Sequence, residues 1–234
     1  MEGVKIYTGG QMIPQVIHQV FGVFREGKPM TDYPIFCSQQ KLTEEHCETF
    51  GINYQFWDDS RISKFMETNF PEYIEFYVNL REDIQRADFI RYLILYHHGG
   101  LYLDLDICPI KNLNMVWGND LFFVKWATDT TGVPYNAVMG SCPHNKLFKE
   151  IIDHCIESYH EKVKMKIYET WTGRFVFQTT GHWMLKRVLD KQSWGVRLWN
   201  VMRIHNKEGE IIEGSYPLFE DYNISSWFNK KEQY

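Results

Sequence analysis

The feature that most constrains this chain is an uninterrupted block that covers residues 81–104. In its first part, apolar residues recur every three or four positions, as one face of an amphipathic helix requires. These residues are Ile84, Ala87, Ile90, Leu93 and Ile94. Gly99 and Gly100 are typical of a helix end, and the apolar run after them is typical of a buried strand. The block therefore predicts a helix over 81–98, a two-glycine turn and a strand over 101–104.

Strand and helix patterns alternate along the rest of the chain. Strands are predicted at 15–21, 33–38, 53–57 and 122–126, and helices at 43–50, 60–80 with a break at Pro71, and 145–159. Residues 174–189 have a strand-like or mixed pattern through Gly181, and 202–212 predict a hairpin around Gly209. This alternation predicts an α/β fold with a largely parallel sheet, in which ligands bind at the carboxyl ends of the strands.

Length and composition limit the classes of protein that remain. The chain has 234 residues, so we expect a single domain over residues 1–234. The net charge of −5, without a block of like charges, gives no reason to expect nucleic acid or a membrane surface as partner. Phe, Trp and Tyr make up 16% of the chain, more than its core requires. This excess is consistent with a ligand platform and equally with an aromatic core.

Cysteine use and the length of apolar runs indicate the compartment. The five cysteines form no CxxC pair, which favours reduced thiols. No apolar run approaches the ~20 residues that a membrane span needs. We therefore expect a soluble, cytoplasmic protein that is a monomer or weak oligomer. A chain trimmed of a membrane anchor would show the same pattern, so that alternative stays open.

Two pairs of charged residues lie around the predicted strand end. Asp104 and Asp106 are two residues apart, so an extended backbone would project both carboxylates to one face. Such oxygen donors suit Mn²⁺ or Mg²⁺, although an isolated Asp-x-Asp is more often a solvated turn. Asp88 and Arg91 are three residues apart on the predicted helix and share a face. A surface ion pair is the simpler interpretation of the second pair.

The whole string RADFIRYLILYHHGGLYLDLD, residues 86–106, closely resembles the signature of the DXD-motif glycosyltransferases of family 32, which have a GT-A fold. Shorter segments are also similar to family motifs, namely 13–21, 54–59, 136–140, 179–181 and 223–227. The sequence departs from the family at Phe21, where Trp is usual, and at His182, where Pro is usual. It also lacks the His-rich run that many members carry before their final Ser-Trp.

The resemblance implies a role for each matched residue. It implies Asp106 as a direct ligand of Mn²⁺ or Mg²⁺, Asp104 as a residue that binds the ion through water or else binds the ribose, and Asn223 as a further ligand. It implies that Asp88 and Arg91 hold the hydroxyls of the transferred sugar. The implied donor-binding residues are Phe21, Trp57, Asp88, Arg91, Tyr102, Asp104, Asn136, Gly181, Ser225 and Trp227. The implied catalytic residues are Asp88, Arg91, Asp104, Asp106 and Trp227.

Within these sets, Phe21 and Trp57 are expected to stack on the base, and simple core packing is an equal alternative for Trp57. His18 and Gln19 are expected to bond to the backbone at the first strand end. The resemblance further implies transfer with retention of configuration, and a front-face substitution is the preferred hypothesis because the sequence indicates no second carboxylate as nucleophile.

The sequence leaves donor and acceptor open. UDP-glucose is the first expectation and GDP-mannose the alternative, with a glycan or small hydroxyl compound as acceptor. Two other classes compete with this interpretation. A metal-dependent phosphohydrolase or nucleotidyltransferase also uses Asp-x-Asp, and a non-catalytic carbohydrate-binding protein would also be rich in aromatic residues.

Overall fold

The computed structural model describes residues 11–23, 27–193, 195–205 and 210–222. The strands are β1 (Val16–Val20), β2 (Asn53–Trp57), β3 (Gly100–Leu103), β4 (Ile107–Pro109), β5 (Leu121–Lys125), β6 (Pro134–Ser141), β7 (Leu198–Trp199), β8 (Met202–His205), β9 (Ile211–Glu213) and β10 (Phe219–Asp221). The helices are α1 (Pro34–Phe50), α2 (Asp59–Asn69), α3 (Ile74–Asn79), α4 (Asp83–His98), α5 (Asn114–Trp117), α6 (Lys146–Lys164), α7 (Thr172–Thr179) and α8 (His182–Asp190). Short 3-10 turns cover Met30–Asp32, Pro71–Tyr73 and Ile167–Glu169.

The central sheet has six strands in the order β2-β1-β3-β6-β5-β7. β1 runs parallel to β2 and β3, and β5 runs parallel to β7. Only β6 opposes its neighbours β3 and β5. The predicted α/β fold with a mostly parallel central sheet flanked by helices is confirmed. Because β5 is parallel to β1 and β3, these three strands end at the same edge, where β6 begins.

A second sheet of four strands has the order β4-β10-β8-β9. β4 immediately follows the acidic tip and pairs antiparallel with β10, which lies parallel to β8. β8 and β9 form the hairpin that was predicted over 202–212. Through the pairing of β4 with β10, this sheet anchors the segment that follows the acidic tip.

The helix that was predicted over 81–98 is present as α4, but it is not amphipathic. α4 starts with a capping box between Glu82 and Gln85, and nearly every side chain from Gln85 to Leu95 is buried. It contacts the sheet strands β3 and β6 on one side and α6 and α7 on others. The apolar spacing therefore predicts the helix correctly and misses its burial on all sides, because Asp88 and Arg91 are also buried.

The two glycines after α4 are required by the backbone. Gly99 and Gly100 have φ values of 67° and 93°, which side chains with a Cβ rarely adopt. A Cβ on Gly100 would also lie 2.6 Å from Cγ1 of Val16 on the neighbouring strand. The turn can therefore place β3 beside β1 only because both positions lack a side chain.

Three local predictions are wrong. Residues 33–38 form no strand, because Pro34 is the first residue of α1 and pre-sets the helical φ. The short helix expected from Thr43 is the second half of that same helix, which does end at Gly51. Residues 174–189 form the helices α7 and α8, separated at Gly181. In α8 the buried residues are Met184, Leu185, Val188 and Leu189, which is a helical spacing hidden among β-branched and aromatic residues.

The aromatic core and the state of the cysteines are consistent with the amino-acid composition. The largest fully buried side chains include Phe89, Phe122, Phe123, Phe148, Phe175 and Phe219, so much of the aromatic content is core packing. All five cysteines are free thiols. Among the described residues, no helix combines the length and apolar character that a membrane crossing would need.

Candidate active site

A cleft of about 320 Å³ opens at the edge where β1, β3 and β5 end and β6 begins. The predicted donor-site residues that line it are Phe21, Asp88, Arg91, Tyr102, Asp104, Asp106, Asn136 and Gly181. They come from four separate parts of the sequence. The fold therefore brings most of the predicted set to one place, as the rule for α/β sheets expects.

The acidic tip is a turn and not the extended segment that was predicted. The amide of Ile107 donates to the carbonyl of Asp104 at 3.0 Å, and the amide of Asp104 donates to Ala137 at 2.9 Å. Leu105 between the two carboxylates is buried. The turn thus replaces strand geometry, yet Asp104 and Asp106 both still line the cleft.

Gln19 on β1 fixes this turn from the neighbouring strand. Its Nε2 donates to the carbonyl of Asp104 at 3.2 Å, and its Oε1 accepts from the hydroxyl of Tyr54 at 2.9 Å. His18 bonds to the carbonyl of Gly99 at 3.0 Å. Gln19 therefore bonds to the backbone at the strand end, as expected from the sequence, whereas His18 bonds to the glycine turn that precedes β3.

A buried arginine joins the two predicted charge pairs. Arg91 lies 3.2 Å from a carboxylate oxygen of Asp88 and 3.2 Å from one of Asp104. Its Nη1 also donates to the carbonyl of Asn136 at 2.9 Å, and its guanidinium lies over the Tyr102 ring at 4.6 Å. The interpretation of Asp88 and Arg91 as a surface ion pair is wrong, because both side chains are about 3–4% exposed.

Asp88 is a buried acid with several hydrogen-bond donors. It accepts from Nδ2 of Asn136 at 2.9 Å and from Oγ1 of Thr180 at 2.8 Å. Burial raises the pKa of Asp88 to about 6, although Arg91, Thr180 and Asn136 favour the charged form. Burial alone would lower the pKa of Arg91, but Asp104, Tyr102 and Asp88 raise it above its ordinary value. At neutral pH the pair is therefore charged on both sides.

One carboxylate oxygen of Asp104 already has two partners within the protein. The hydroxyl of Tyr102 donates to its Oδ1 at 2.6 Å, and Arg91 contacts that same oxygen. Tyr102 is fully buried, and its pKa lies well above the ordinary value because of burial, so its hydroxyl keeps the proton that it donates. Asp104 is consequently oriented by the protein before any ligand enters.

Sequence reasoning missed several residues of the cleft. Thr180 is a partner of Asp88, and its own carbonyl accepts from the hydroxyl of Tyr92 at 2.8 Å. Tyr135 and Trp126 line the wall beside Asn136, while Phe177 and His182 line the wall beside Gly181. Thr180 and Tyr135 each adjoin a predicted residue, so that proximity was the available signal.

The prediction that Trp57 stacks on the base is corrected, because Trp57 does not line this cleft. It is 2% exposed, and its Nε1 donates to Nδ1 of His18 at 3.1 Å inside the core. The side chain of Arg61 covers the indole at 4.1 Å. The Trp57 ring also packs against those of Phe65 and His98, with centroid distances of 5.1 and 5.4 Å. Core packing, the alternative for Trp57, is what the structure has.

The predicted residues Asn223, Ser225 and Trp227 lie outside the described residues. Within the described part of the chain, no group of three or more His, Cys, Asp or Glu side chains is arranged to hold a metal ion. Two carboxylates at the cleft are nevertheless hard oxygen donors, which fits Mn²⁺ or Mg²⁺ chemically. Asp106 and the second oxygen of Asp104 are the groups that would hold such an ion.

Comparisons with known proteins give the cleft a context. Residues 35–123 match the family model described as "Glycosyltransferase sugar-binding region containing DXD motif", which includes the acidic turn and α4. An uncharacterized glycosyltransferase of Acanthamoeba polyphaga mimivirus is 37% identical over 144 residues, which are 60% of this chain and 54% of that protein.

Two curated fungal relatives carry more specific names. The mannosyl phosphorylinositol ceramide synthase SUR1 of Saccharomyces cerevisiae is 32% identical and is aligned over 92% of this chain and 50% of its own length. The inositol phosphoceramide mannosyltransferase 2 of Schizosaccharomyces pombe is 31% identical over 66% of this chain and 41% of its own length. The chain thus spans about half the length of the curated relatives that it matches.

Among solved structures, the PaToxG glycosyltransferase has a TM-score of 0.53 with 16% sequence identity. The match covers 76% of this chain and 69% of that structure. At this identity the likeness concerns the fold alone.

Proposed function

Because this chain belongs to the glycosyltransferase family whose sugar-binding region contains a DXD motif, we propose that it moves a hexose from a nucleotide-sugar donor to a hydroxyl acceptor. The observation that carries this proposal is the buried Arg91, which lies between Asp88 and Asp104 in the wall of one cleft. An ion pair with a purely structural role would not require a second carboxylate at a cleft. A donor that presents sugar hydroxyls as well as phosphates would make use of both carboxylates, Asp88 and Asp104.

The names of the relatives change the order of the two donor candidates. Two curated relatives are named inositol phosphoceramide mannosyltransferases, and two are named mannosyl phosphorylinositol ceramide synthases. We therefore place mannose, carried by GDP, before UDP-glucose. Phe21, at the end of β1, lines the cleft where a base of either kind would stack.

The described side chains have separate tasks in the proposed reaction. Asp88 and Arg91 hold hydroxyls of the donor sugar, and Asn136 and Thr180 keep the Asp88 carboxylate in place. Mn²⁺ or Mg²⁺, held by Asp104 and Asp106 with Asn223 as a candidate third ligand, would act as a Lewis acid that neutralises the departing diphosphate. Preorganised charges of this kind stabilise a transition state because they need not reorient during the reaction.

The surroundings of Asp88 favour a front-face mechanism with retention. The buried Asp88 carboxylate pairs with Arg91 and accepts hydrogen bonds from Asn136 and Thr180, and these contacts stabilise its negative charge and so make it a poorer nucleophile. In the front-face step, the bond from the anomeric carbon to the phosphate oxygen breaks as the acceptor oxygen bonds to the same face. The acceptor proton passes to the departing phosphate oxygen.

The acceptor follows from the same comparison. Relatives are named for inositol phosphoceramide or its mannosyl derivative, so we propose an acceptor hydroxyl on a sugar or cyclitol ring. We further propose that residues 1–234 act as one catalytic domain.

A donor screen tests the proposal. Release of nucleotide is measured with GDP-mannose, UDP-glucose, UDP-galactose and UDP-N-acetylglucosamine, each with Mn²⁺, with Mg²⁺ or with a chelator. We expect metal-dependent release that is fastest with GDP-mannose. Calorimetry separates the competing class: glycan binding without metal, together with no binding of any nucleotide sugar, would indicate a carbohydrate-binding protein and overturn the proposal.

A further inference from the structure

The order of the strands arranges the cleft residues along a line. From one side of the sheet to the other, strands β1, β3, β6 and β5 are neighbours. The residues at their shared edge are Phe21 after β1, Asp104 after β3, Asn136 in β6 and Trp126 after β5. Neighbouring strands lie about 4.8 Å apart, so Phe21 and Trp126 are separated by roughly 14 Å along the edge. The acidic turn lies between these two aromatic ends.

The proposed donor is assigned to only some of the residues along this line. Its base is assigned to Phe21, its phosphates to the acidic turn, and its sugar to the buried Asp88 and Arg91. All of these lie on the β1 side of the cleft or beneath its centre. Trp126, on the β5 side, also lines the cleft, and no donor group has been assigned to it.

Trp126 is held in a defined orientation. Its ring is perpendicular to that of Tyr135, with an interplanar angle of 89° and a centroid distance of 4.9 Å. The hydroxyl of Tyr135 donates to Oδ2 of Asp221 at 2.7 Å, and Asp221 is fully buried in β10. Burial keeps the pKa of Tyr135 well above its ordinary value, so this donor is not lost by ionisation. A half-buried indole fixed in this way has little conformational entropy to lose when a ligand binds.

We propose that Trp126, oriented by Tyr135, is the platform for the acceptor and binds the apolar face of a pyranose or cyclitol ring. The acceptor hydroxyl must approach the anomeric carbon on the same face as the departing phosphate, so it has to enter next to the acidic turn. Trp126 flanks that turn on the side opposite the base. A flat aromatic surface suits a ring whose one face carries only C–H groups. This inference rests on the proposed function for the identity of the reaction, but the binding of the ring itself is measurable without it.

Saturation-transfer NMR on the full chain tests the platform, with methyl β-mannopyranoside and myo-inositol, which each have one face that carries only C–H groups, as probes in the presence of GDP. Trp126→Phe keeps an aromatic ring, whereas Trp126→Leu keeps an apolar side chain without one. We expect Trp126→Leu to weaken binding of the probes by about tenfold, the size of effect that stacked rings give, and Trp126→Phe to retain most of the affinity. Tyr216→Ala serves as the control, because Tyr216 is an exposed ring that is absent from the cleft lining.

Three results would overturn the inference: equal affinity in Trp126→Leu and the wild type, an equal loss in the Phe and Leu variants, or no binding of either probe to the wild type. Thermal melting of each variant separates misfolding from loss of the platform, and the Phe variant gives a second reading if the Leu variant does not fold. Binding of GDP-mannose and of UDP-glucose to the wild type with Mn²⁺ is measured separately by calorimetry. Its absence for both donors would overturn the proposed donor chemistry while leaving the comparison of probe affinities intact.

Discussion

At the scale of single residues, Asp88 links the chemistry of the site to pH. Its pKa is raised by burial to about 6, so the carboxylate gains a proton as the pH falls through that value. Protonation removes one of the two negative partners of Arg91 and one acceptor for Asn136 or Thr180. We therefore expect kcat/KM for the donor to fall below about pH 6, and the fall to be absent in Asp88→Asn, which should lose about 100-fold in kcat/KM at pH 7.

The same residue predicts a stability profile. A carboxyl whose folded pKa exceeds its unfolded value binds its proton more tightly in the folded state. Its stabilising contribution is therefore complete below about pH 4 and is lost as the pH rises through about 6. Urea unfolding between pH 4 and 7 should show this loss in the wild type and a flatter profile in Asp88→Asn. Identical slopes in the two proteins would mean that Asp88 does not titrate in this range.

Asp104 and Asp106 are both assigned to the metal, and substitution of either should lower activity. Arg91 and Tyr102 contact the Asp104 side chain, so Asp104→Asn should lower both the melting temperature and activity. Asp106 also lines the cleft. We expect Asp106→Asn to lower metal-dependent nucleotide release by about 100-fold or more. Near-normal release in Asp106→Asn would refute its assignment to the metal.

The residue scale also shows where sequence reasoning succeeds and where it fails. Asp88, Arg91, Asp104 and Asp106 were predicted from their spacing together with the resemblance of residues 86–106 to the glycosyltransferase signature, although the two aspartates lie on a turn and not on an extended strand. Trp57 was misplaced because a strand-end position alone does not say whether the side chain points to the cleft or to the core. That depends on the neighbouring strand, where His18 accepts its indole N–H.

At the scale of elements, the Gly99-Gly100 turn connects α4, which carries Asp88 and Arg91, to β3, which leads to the acidic turn. Gly100→Ala would place a methyl group 2.6 Å from Val16 on β1 at a φ of 93°. We expect a loss of about 2–5 kcal/mol in the free energy of unfolding, from the backbone strain together with overpacking. Urea unfolding measures it. The matched control is Gly118→Ala, where no atom lies within 4 Å of the new methyl group and φ is −80°. Equal losses in the two variants would show that the turn tolerates a side chain.

Element prediction from periodicity depended on how each element is buried. β1, β2, α6 and the β8–β9 hairpin follow their patterns. α4 has the expected spacing, but it is enclosed by the sheet, α6 and α7, so its polar residues Asp88 and Arg91 are buried rather than solvated. Periodicity reports which residues are apolar, and it cannot report that a second layer of helices covers the remaining face.

At the scale of the whole molecule, the sequence predicted the class of fold but not the position of β6. This strand lies antiparallel between β3 and β5, and it brings Asn136 and Tyr135 to the same edge as Asp104. Strand order is set by long-range packing, which no local pattern encodes. The site therefore has a predicted part, which is the continuous block from α4 to the acidic turn with Asn136 and Gly181, and an unpredicted part, to which Tyr135, Trp126 and Thr180 belong.

The stability of the whole molecule should report which nucleotide it binds. A ligand that binds only the folded state adds RT ln(1 + [L]/Kd) to the free energy of unfolding, about 2.7 kcal/mol at a hundredfold excess over Kd. For a chain of this size that corresponds to a rise of roughly 5–10 °C in melting temperature. We expect GDP with Mn²⁺ to produce a larger rise than UDP with Mn²⁺ at equal concentration, and a chelator to reduce both. Asp106→Asn should lose the metal-dependent part of the shift, whereas Tyr216→Ala should keep it. A larger shift with UDP would reverse the order of donors and return UDP-glucose to first place, because the base is the part of the donor in which the two nucleotides differ.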